Sequence, residues 1–457
     1  MLKIDAGDRA LHGRIARLTG PIVLQNLLSA AVNSADVVML NFVGQAHISA
    51  VSLAAQYASI LFMVFYGLGT GVTMLSAQYF GKGDMRAVDA VEGIALRFSL
   101  GMATLFAAAA LAVPRAMMRV FTPDQELIAI GASYLRNVSV AYLCWGFIEI
   151  YLATLRSVGR VAVSTALNTT AFLLNIMLNA VFIFGLFGAP KLGAAGVALA
   201  TSISRVVELI LVMIVSARSR DVKLKLSHMF IRSRLLFRDF LRMALPATLN
   251  DISWGLAFSM YSVIIGNFLG TDMVAANSFT SLVRSFGTVL CFGVASAGGI
   301  LLGQLLGDGR MNEAERAAKA VMRLTVLFGF LGGLVVLAAM PIALRFASLS
   351  DVGRGYLKTM LLINTYYVMG QAVNTTLIAG VFRAGGDSRF GAICDTIDMW
   401  CYAVPLGFIA AALLKLPPMW VYFLLCTDEF VKWPWVIGHY RSRKWLRNIT
   451  RENVIEG

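Results

Sequence analysis

A four-residue pattern that returns half a chain later constrains this sequence more than any other feature. Asn41-Phe42-Val43-Gly44 reappears as Asn267-Phe268-Leu269-Gly270. The same offset (41 to 267) carries Gln78 to Gln304, Gly81 to Gly307, Gly83 to Gly309, Met85 to Met311 and Arg97 to Arg323. One residue of slippage later, Arg156-Ser157-Val158-Gly159 returns as Arg383-Ala384-Gly385-Gly386. Chance supplies one such match, but not an ordered series at constant spacing, so the chain of 457 residues is two copies of one half.

What each half must build follows from where the apolar residues fall. They make up 58% of the chain against 14% charged, whereas soluble domains carry about 45–50% apolar and about 25% charged residues. They also come in long blocks, such as 98–113 and 324–340. A membrane-spanning helix needs about 20 mainly apolar residues. By that measure each half holds six spans. The first six are expected near 15–44, 48–79, 93–113, 133–155, 163–187 and 193–215. The second six are expected near 241–270, 274–306, 324–344, 357–381, 391–414 and 420–439. The fold class is therefore all-α and integral to the membrane, with twelve helices in two pseudo-symmetric six-helix lobes. Half-chain repeats of this kind mark transport folds, which bind their cargo between the repeats in a central cavity.

Lys and Arg give the orientation. The link between the halves carries Arg218, Arg220, Lys223, Lys225, Arg232, Arg234, Arg238 and Arg242, and both chain ends are basic. The short connections after spans 1 and 7 contain none. Positive residues stay in the cytoplasm, so both termini and the link are expected inside the inner (cytoplasmic) membrane. The lobes are then 1–217 and 241–457, joined by a basic linker at 218–240. The net charge of +14 is topogenic by this reading and does not point to nucleic acid, because the charges sit in short loops and not on one soluble face. Apolar residues among the link's arginines (Met229-Phe230-Ile231, Leu235-Leu236-Phe237) suggest an interfacial helix touching anionic lipid. Five cysteines lie within spans and show no C-x-x-C spacing, which reads as apolar filler and not as a metal site or disulfide framework.

With those residues in place, the chain resembles a known family. Leu18-Thr19-Gly20-Pro21, Asp36 ahead of Asn41-Phe42-Val43-Gly44, Gln78 with Gly81-Lys82-Gly83, and 193–201 (GAAGVALAT) are similar to the MATE (multidrug and toxic compound extrusion) transporters. The second half agrees at Leu245-Pro246, Gly303-Gln304-Leu305-Leu306-Gly307-Asp308-Gly309 and Arg383-Ala384-Gly385-Gly386-Asp387-Ser388. The resemblance spans about Arg14 to Arg447. It implies two six-helix lobes that export amphipathic organic cations against an inward H⁺ or Na⁺ gradient, with no cofactor other than the coupling ion.

Carboxylates in hydrocarbon are costly and therefore face cavities or partners. Asp36, in the outer half of span 1, has no basic residue within a turn on its own helix. The resemblance makes an acid here the cation-coupling residue. Asn175 and Asn179 are four apart and share a face of span 5, and Thr201 of span 6 completes an oxygen-rich set suited to a hard cation. Sequence alone reads such asparagines more often as interhelical glue; the resemblance reverses that and favours a cation site, with Na⁺ at Asp36, Asn175, Asn179 and Thr201 as the metal alternative to H⁺. None of these is duplicated. Asp36 meets Ser262 at the common offset, and Asn175 and Asn179 meet Tyr402 and Leu406 after the slip.

The second half carries Asp251, Asp395, Asp398, Asp428 and Glu429 inside its spans. Asp251 stands where related transporters often carry Glu, and Asp395 and Asp398 share one face of span 11. These three form a candidate second acidic cluster or substrate contact, alternatively paired with Arg284. Tyr366, Tyr367, Trp254 and Tyr261 are the aromatics expected to meet cargo. Arg205 and Glu208 of span 6, and Glu149 and Arg156 of span 4, are spaced for ion pairs. Intramembrane acids outnumber the intramembrane bases Arg205 and Arg284, which favours cationic cargo. A flippase or exporter of lipid-linked or other endogenous amphiphiles is the alternative, and its cavity would be strongly cationic. Enzyme chemistry is not expected, since no H-E-x-x-H or G-x-S-x-G lies in a span and no P-loop occurs. The chain is expected to act as a monomer on small-molecule cations, with membrane lipid as its other partner.

Overall fold

The computed structural model describes residues 6–41, 43–219, 221–347, 349–452 and 454. For 6–10, 12, 30, 33–38, 40, 41, 45 and 226 it describes the backbone alone. Helices account for nearly all of it, and no strand occurs among the described residues. The chain divides into two compact units. One holds Leu24–Phe80, Asp84–Ala244 and Arg451–Gly457; the other holds Met1–Val23, Gly81–Gly83 and Leu245–Thr450.

In the first unit, α1 (Ala6–Asn41) contributes its later part, followed by α2 (Gln45–Lys82), α3 (Met85–Ala112), the short α4 (Pro114–Phe121), α5 (Gln125–Ser157), α6 (Val161–Phe184) and α7 (Ala194–Arg218). Asp84 caps α3 by accepting from the Ala87 N–H at 3.0 Å, and Asp124 caps α5 from Glu126 at 2.9 Å. α5 is the central element, packed against both α3 and α7. Small residues make that closeness possible: Gly146 of α5 lies against Ala103 and Ser99 of α3, and the Ser99 hydroxyl donates to the Gly146 carbonyl at 2.8 Å. Phe65, Leu135, Tyr142 and Met118 fill the core around them.

The second unit is built from the later part of α8 (Arg234–Phe268), then α9 (Thr271–Gly307), α10 (Met311–Phe346) and α11 (Asp351–Thr375). α11 runs on through a π-helical turn at Thr376–Phe382. The next span is one helix made of α12 (Ser388–Ile397) and α13 (Val404–Phe408), with π turns at Asp398–Ala403 and Ile409–Leu413. α9 packs against both α10 and α11, and Gly287 and Gly332 let α9 and α10 approach backbone to backbone.

The duplicated glycines now have a physical reason. Gly83 and Gly309 follow α2 and α9 with φ of 83° and 77°, and Gly159 and Gly386 follow α5 and the α11 helix with φ of 82° and 77°. This left-handed backbone closes a helix at little cost only when no Cβ is present. The repeat thus records helix ends.

Among the described residues, each of the twelve expected spans contains helix. Eight helices among the described residues are long and apolar enough to cross a membrane. Two readings need correction. The last span, expected at 420–439 as one helix, is broken into α14 (Pro418–Leu425), α15 (Asp428–Val431) and α16 (Trp433–Arg441). Pro434 cannot donate to the turn before it, and the Thr427 hydroxyl takes the Leu424 carbonyl at 2.6 Å. The apolar stretch of the link is also not one interfacial helix. Leu226–Phe230 is a 3₁₀ turn seated on α3, and Arg234 onward begins α8.

Candidate functional site

The break in the last span places charge in the interior of the second unit. Lys432 stands between α15 and α16, and its side chain is 2% exposed. Its ammonium lies 3.1 Å from Asp395, 3.2 Å from Glu429 and 3.5 Å from Asp398. Asp428 sits beside them, accepting from the Glu429 N–H at 2.8 Å and from the Tyr261 hydroxyl at 3.1 Å. The Asn250 amide donates to the other Asp395 oxygen at 3.1 Å, and Asn374 donates to Glu429 at 2.6 Å. Asp398 opens a π turn, a distortion that recurs at functional sites because it shifts the register of the side chains after it. Three carboxyl groups thus share one buried ammonium, with Asp428 beside them. That leaves a surplus of carboxyl groups over bases, and buried charge of this kind is costly unless it is compensated. Discontinuous helices that present charge near the membrane midplane are the usual architecture of transporter binding sites.

Asp395 and Asp398, expected to share a polar track, are brought together at Lys432. Asp251 is not among them: it forms an ion pair with Arg383 at 2.8 Å. The alternative pairing of these acids with Arg284 is also not what forms. Arg284 stacks over the rings of Phe258 (5.3 Å) and Tyr367 (5.6 Å). Trp254 packs edge-on against Phe258 at 4.6 Å, and Tyr261 packs against the other side of that ring, so Trp254 and Tyr367 belong to one aromatic cluster that reaches the acids through Tyr261. Tyr366 points elsewhere, against Phe423 and Phe430.

In the first unit the expected polar face is assembled. Asn175 donates to the Thr201 hydroxyl at 3.3 Å, and Asn179 donates to the Asn175 carbonyl oxygen at 3.2 Å. Thr201 in turn donates to the Val197 carbonyl, which fixes its rotamer. Asp36 lies on α1, but its side chain falls outside the described residues. The Arg205–Glu208 pair closes at 2.7 Å beneath Trp145, and Glu149–Arg156 closes at 2.8 Å. Both pairs close within one or two turns of one helix, and the second oxygen of Glu208, Oε1, has no hydrogen-bond partner.

Lys432 was missed by sequence reasoning, which counted only Arg205 and Arg284 as bases inside spans. The signal was present in Asp428-Glu429-Phe430-Val431-Lys432-Trp433-Pro434: two acids and a base one helical turn apart, ahead of a proline, inside an otherwise apolar segment.

Comparison with known proteins fits this architecture. The MatE family model matches residues 21–181 and 246–409, one block in each half. The "Uncharacterized transporter YisQ" of Bacillus subtilis is 26% identical over 439 residues, covering 94% of each chain. The "Probable multidrug resistance protein NorM" of Rhizobium meliloti is 24% identical over 420 residues, covering 89% of this chain and 87% of its own. A structure described as the outward-facing conformation of a multidrug resistance MATE family transporter superposes with a TM-score of 0.86 at 21% identity, over 97% of this chain and 100% of that one. A transporter of the MOP superfamily from Pyrococcus furiosus, described as having a binding pocket of reverse polarity, gives 0.85 at 21% identity over 97% and 98%. With a family match across both halves, a shared twelve-helix fold and buried charge at a broken span, the chain belongs to the MatE family of membrane transporters.

Proposed function

We propose that the chain is a secondary multidrug exporter that moves amphipathic organic cations outward in exchange for inward H⁺ or Na⁺. The observation that carries this reading is the buried carboxyl surplus around Lys432, which calls for exchangeable positive charge. Relatives described as multidrug resistance proteins support the cargo class. The coupling ion binds Asp36 with Asn175, Asn179 and Thr201. Asp395, Asp398 and the Trp254–Tyr367 cluster serve the substrate or a second ion. Coupling requires only that ion and cargo favour different conformations. The protein works as a monomer in the inner membrane with both termini inside, and needs no cofactor beyond the ion.

Transport in proteoliposomes tests this. Efflux of a cationic dye is expected under a pH gradient alone or a Na⁺ gradient alone, and Asp36→Asn should abolish it while the melting temperature stays unchanged. Undiminished efflux by Asp36→Asn would refute the coupling assignment. Arg284 favours a second reading: it is held by aromatic faces and has no carboxylate pair among the described residues. Such a cation suits the headgroup of an anionic amphiphile. Competition of dye efflux by an anionic lipid analogue, lost in Arg284→Gln, would favour that reading.

A further inference from the structure

The link between the halves carries a second constellation of chemistry that transport does not use. Its turn Leu226–Phe230 rests on α3 at Gly93, where any Cβ would collide with the His228 carbonyl. That contact holds the His228 imidazole against Asp89 and Glu92, which lie three apart on one face of α3. Nδ1 is 3.2 Å from a Glu92 oxygen, and Nε2 is 3.8 Å from an Asp89 oxygen. One donor atom from each of the three lies within 4.8 Å of the other two. Glu92 is fully buried, and its second oxygen, Oε1, has no hydrogen-bond partner. A buried carboxylate oxygen left without a partner carries its whole desolvation cost, and a cation held by both Glu92 oxygens would remove it.

We propose that Asp89, Glu92 and His228 bind a divalent d-block cation of the Zn²⁺ class, which pins the link to α3. An imidazole nitrogen with two carboxylates is a donor set for Zn²⁺, Co²⁺ or Ni²⁺, whereas Mg²⁺ and Ca²⁺ take oxygen alone. Two donors 3.2 Å apart, each about 2.1 Å from an ion, subtend about 100° there, close to the tetrahedral angle. The Asp89 side chain is 29% exposed and faces Nε2, so its oxygen must turn to reach an ion held between Nδ1 and Glu92. Lys225 on the same link opposes the added charge, but the two carboxylates outweigh it. Gly93 matters because a backbone-fixed imidazole loses little freedom when it ligates.

The test uses the full-length transporter in detergent, without a polyhistidine tag, stripped with EDTA and dialysed against micromolar Zn²⁺. Bound metal is read by mass spectrometry, and Co²⁺ absorbance reports the ligand type. One equivalent of Zn²⁺ is expected for the parent protein. Glu92→Gln and His228→Ala should weaken binding by at least about 100-fold, the upper end of what loss of an outer-shell partner costs. Asp89→Asn, at a half-exposed site with little risk to folding, should weaken it less, and His439→Gln should leave it unchanged. Elution volume and melting curves establish that each variant is folded. Absence of stoichiometric Zn²⁺ at pH 8, or equal uptake by folded His228→Ala, overturns the proposal and leaves an imidazolium held by two carboxylates. Gradient-driven efflux by the same preparations is a separate readout, so this site and the transport reading fail independently.

Discussion

Lys432→Met removes the one ammonium among Asp395, Asp398 and Glu429 while nearly keeping the side-chain volume. At an effective dielectric of about 20, a full charge pair at 3.1 Å is worth about 5 kcal/mol before desolvation is subtracted. Removing one partner of a buried pair costs about 3–5 kcal/mol, because the other charge is left uncompensated. Lys432 is 2% exposed, so water cannot substitute for it. The expected loss is therefore about 4 kcal/mol. For a unit of this size each kcal/mol moves the melting point by about 2–4 °C, so a fall of about 10 °C is expected. The assay is thermal unfolding of the detergent-purified protein. A triple variant carrying Lys432→Met with Asp395→Asn and Glu429→Gln should recover most of the loss, since it removes the stranded acids with the base. If Lys432→Met melts within 2 °C of the parent, the ammonium does not neutralise these carboxyl groups and the account of the site is wrong.

Three further expectations follow from single contacts. Arg383→Met strands Asp251 and should cost about 3 kcal/mol, whereas Arg383→Met with Asp251→Asn should cost clearly less; additive losses in a thermal double-mutant cycle would show that the 2.8 Å pair is not coupled. Gly93→Ala drives a methyl into the His228 carbonyl and should destabilise by about 2 kcal/mol, with protease sensitivity appearing first in the link; an unchanged digest would show that the turn is not seated there. The third is a pH effect. The hydrogen bond that the His228 ring donates to Glu92 raises the His228 pKa above its ordinary value, with Asp89 adding to it against the lowering by burial. A raised histidine pKa stabilises the docked link below the unfolded-state value, and that stability is lost as pH rises through the folded-state value. In EDTA the link should therefore loosen from pH 6 to pH 9, while Zn²⁺, which must displace that proton, should bind more tightly at pH 8 than at pH 6. Hydrogen exchange of residues 226–230 reads both; protection in EDTA that is flat across this range would contradict the first.

What was legible beforehand was local. Twelve helical segments follow from apolar runs, and the ends at Gly83, Gly159, Gly309 and Gly386 follow from duplicated glycines whose positive φ no other residue adopts cheaply. The Asn175–Asn179–Thr201 contact needed only helical spacing within α6 and a neighbouring helix. The Arg205–Glu208 pair is likewise a property of one turn. Partnerships across the fold were not legible. Asp251 and Arg383 are 132 positions apart and Asn250 and Asp395 are 145 apart, and no periodicity ties such residues together. Lys432 stands at the break between α15 and α16, where its ammonium meets Asp395 and Asp398 from a different helix, a partnership no local pattern announces.

The sequence by itself therefore determined an all-helical membrane protein of two related halves, because apolar length and helix-end chemistry act over a few residues. It also determined which half carries the unduplicated asparagines. Only the tertiary structure decided that Asp395, Asp398 and Glu429 converge on Lys432, that Asp251 answers to Arg383, and that the link rests on Gly93 with His228 between two carboxylates. The reason is physical: a buried charge takes whichever opposite charge packing brings within reach, and packing is set by the whole helix bundle.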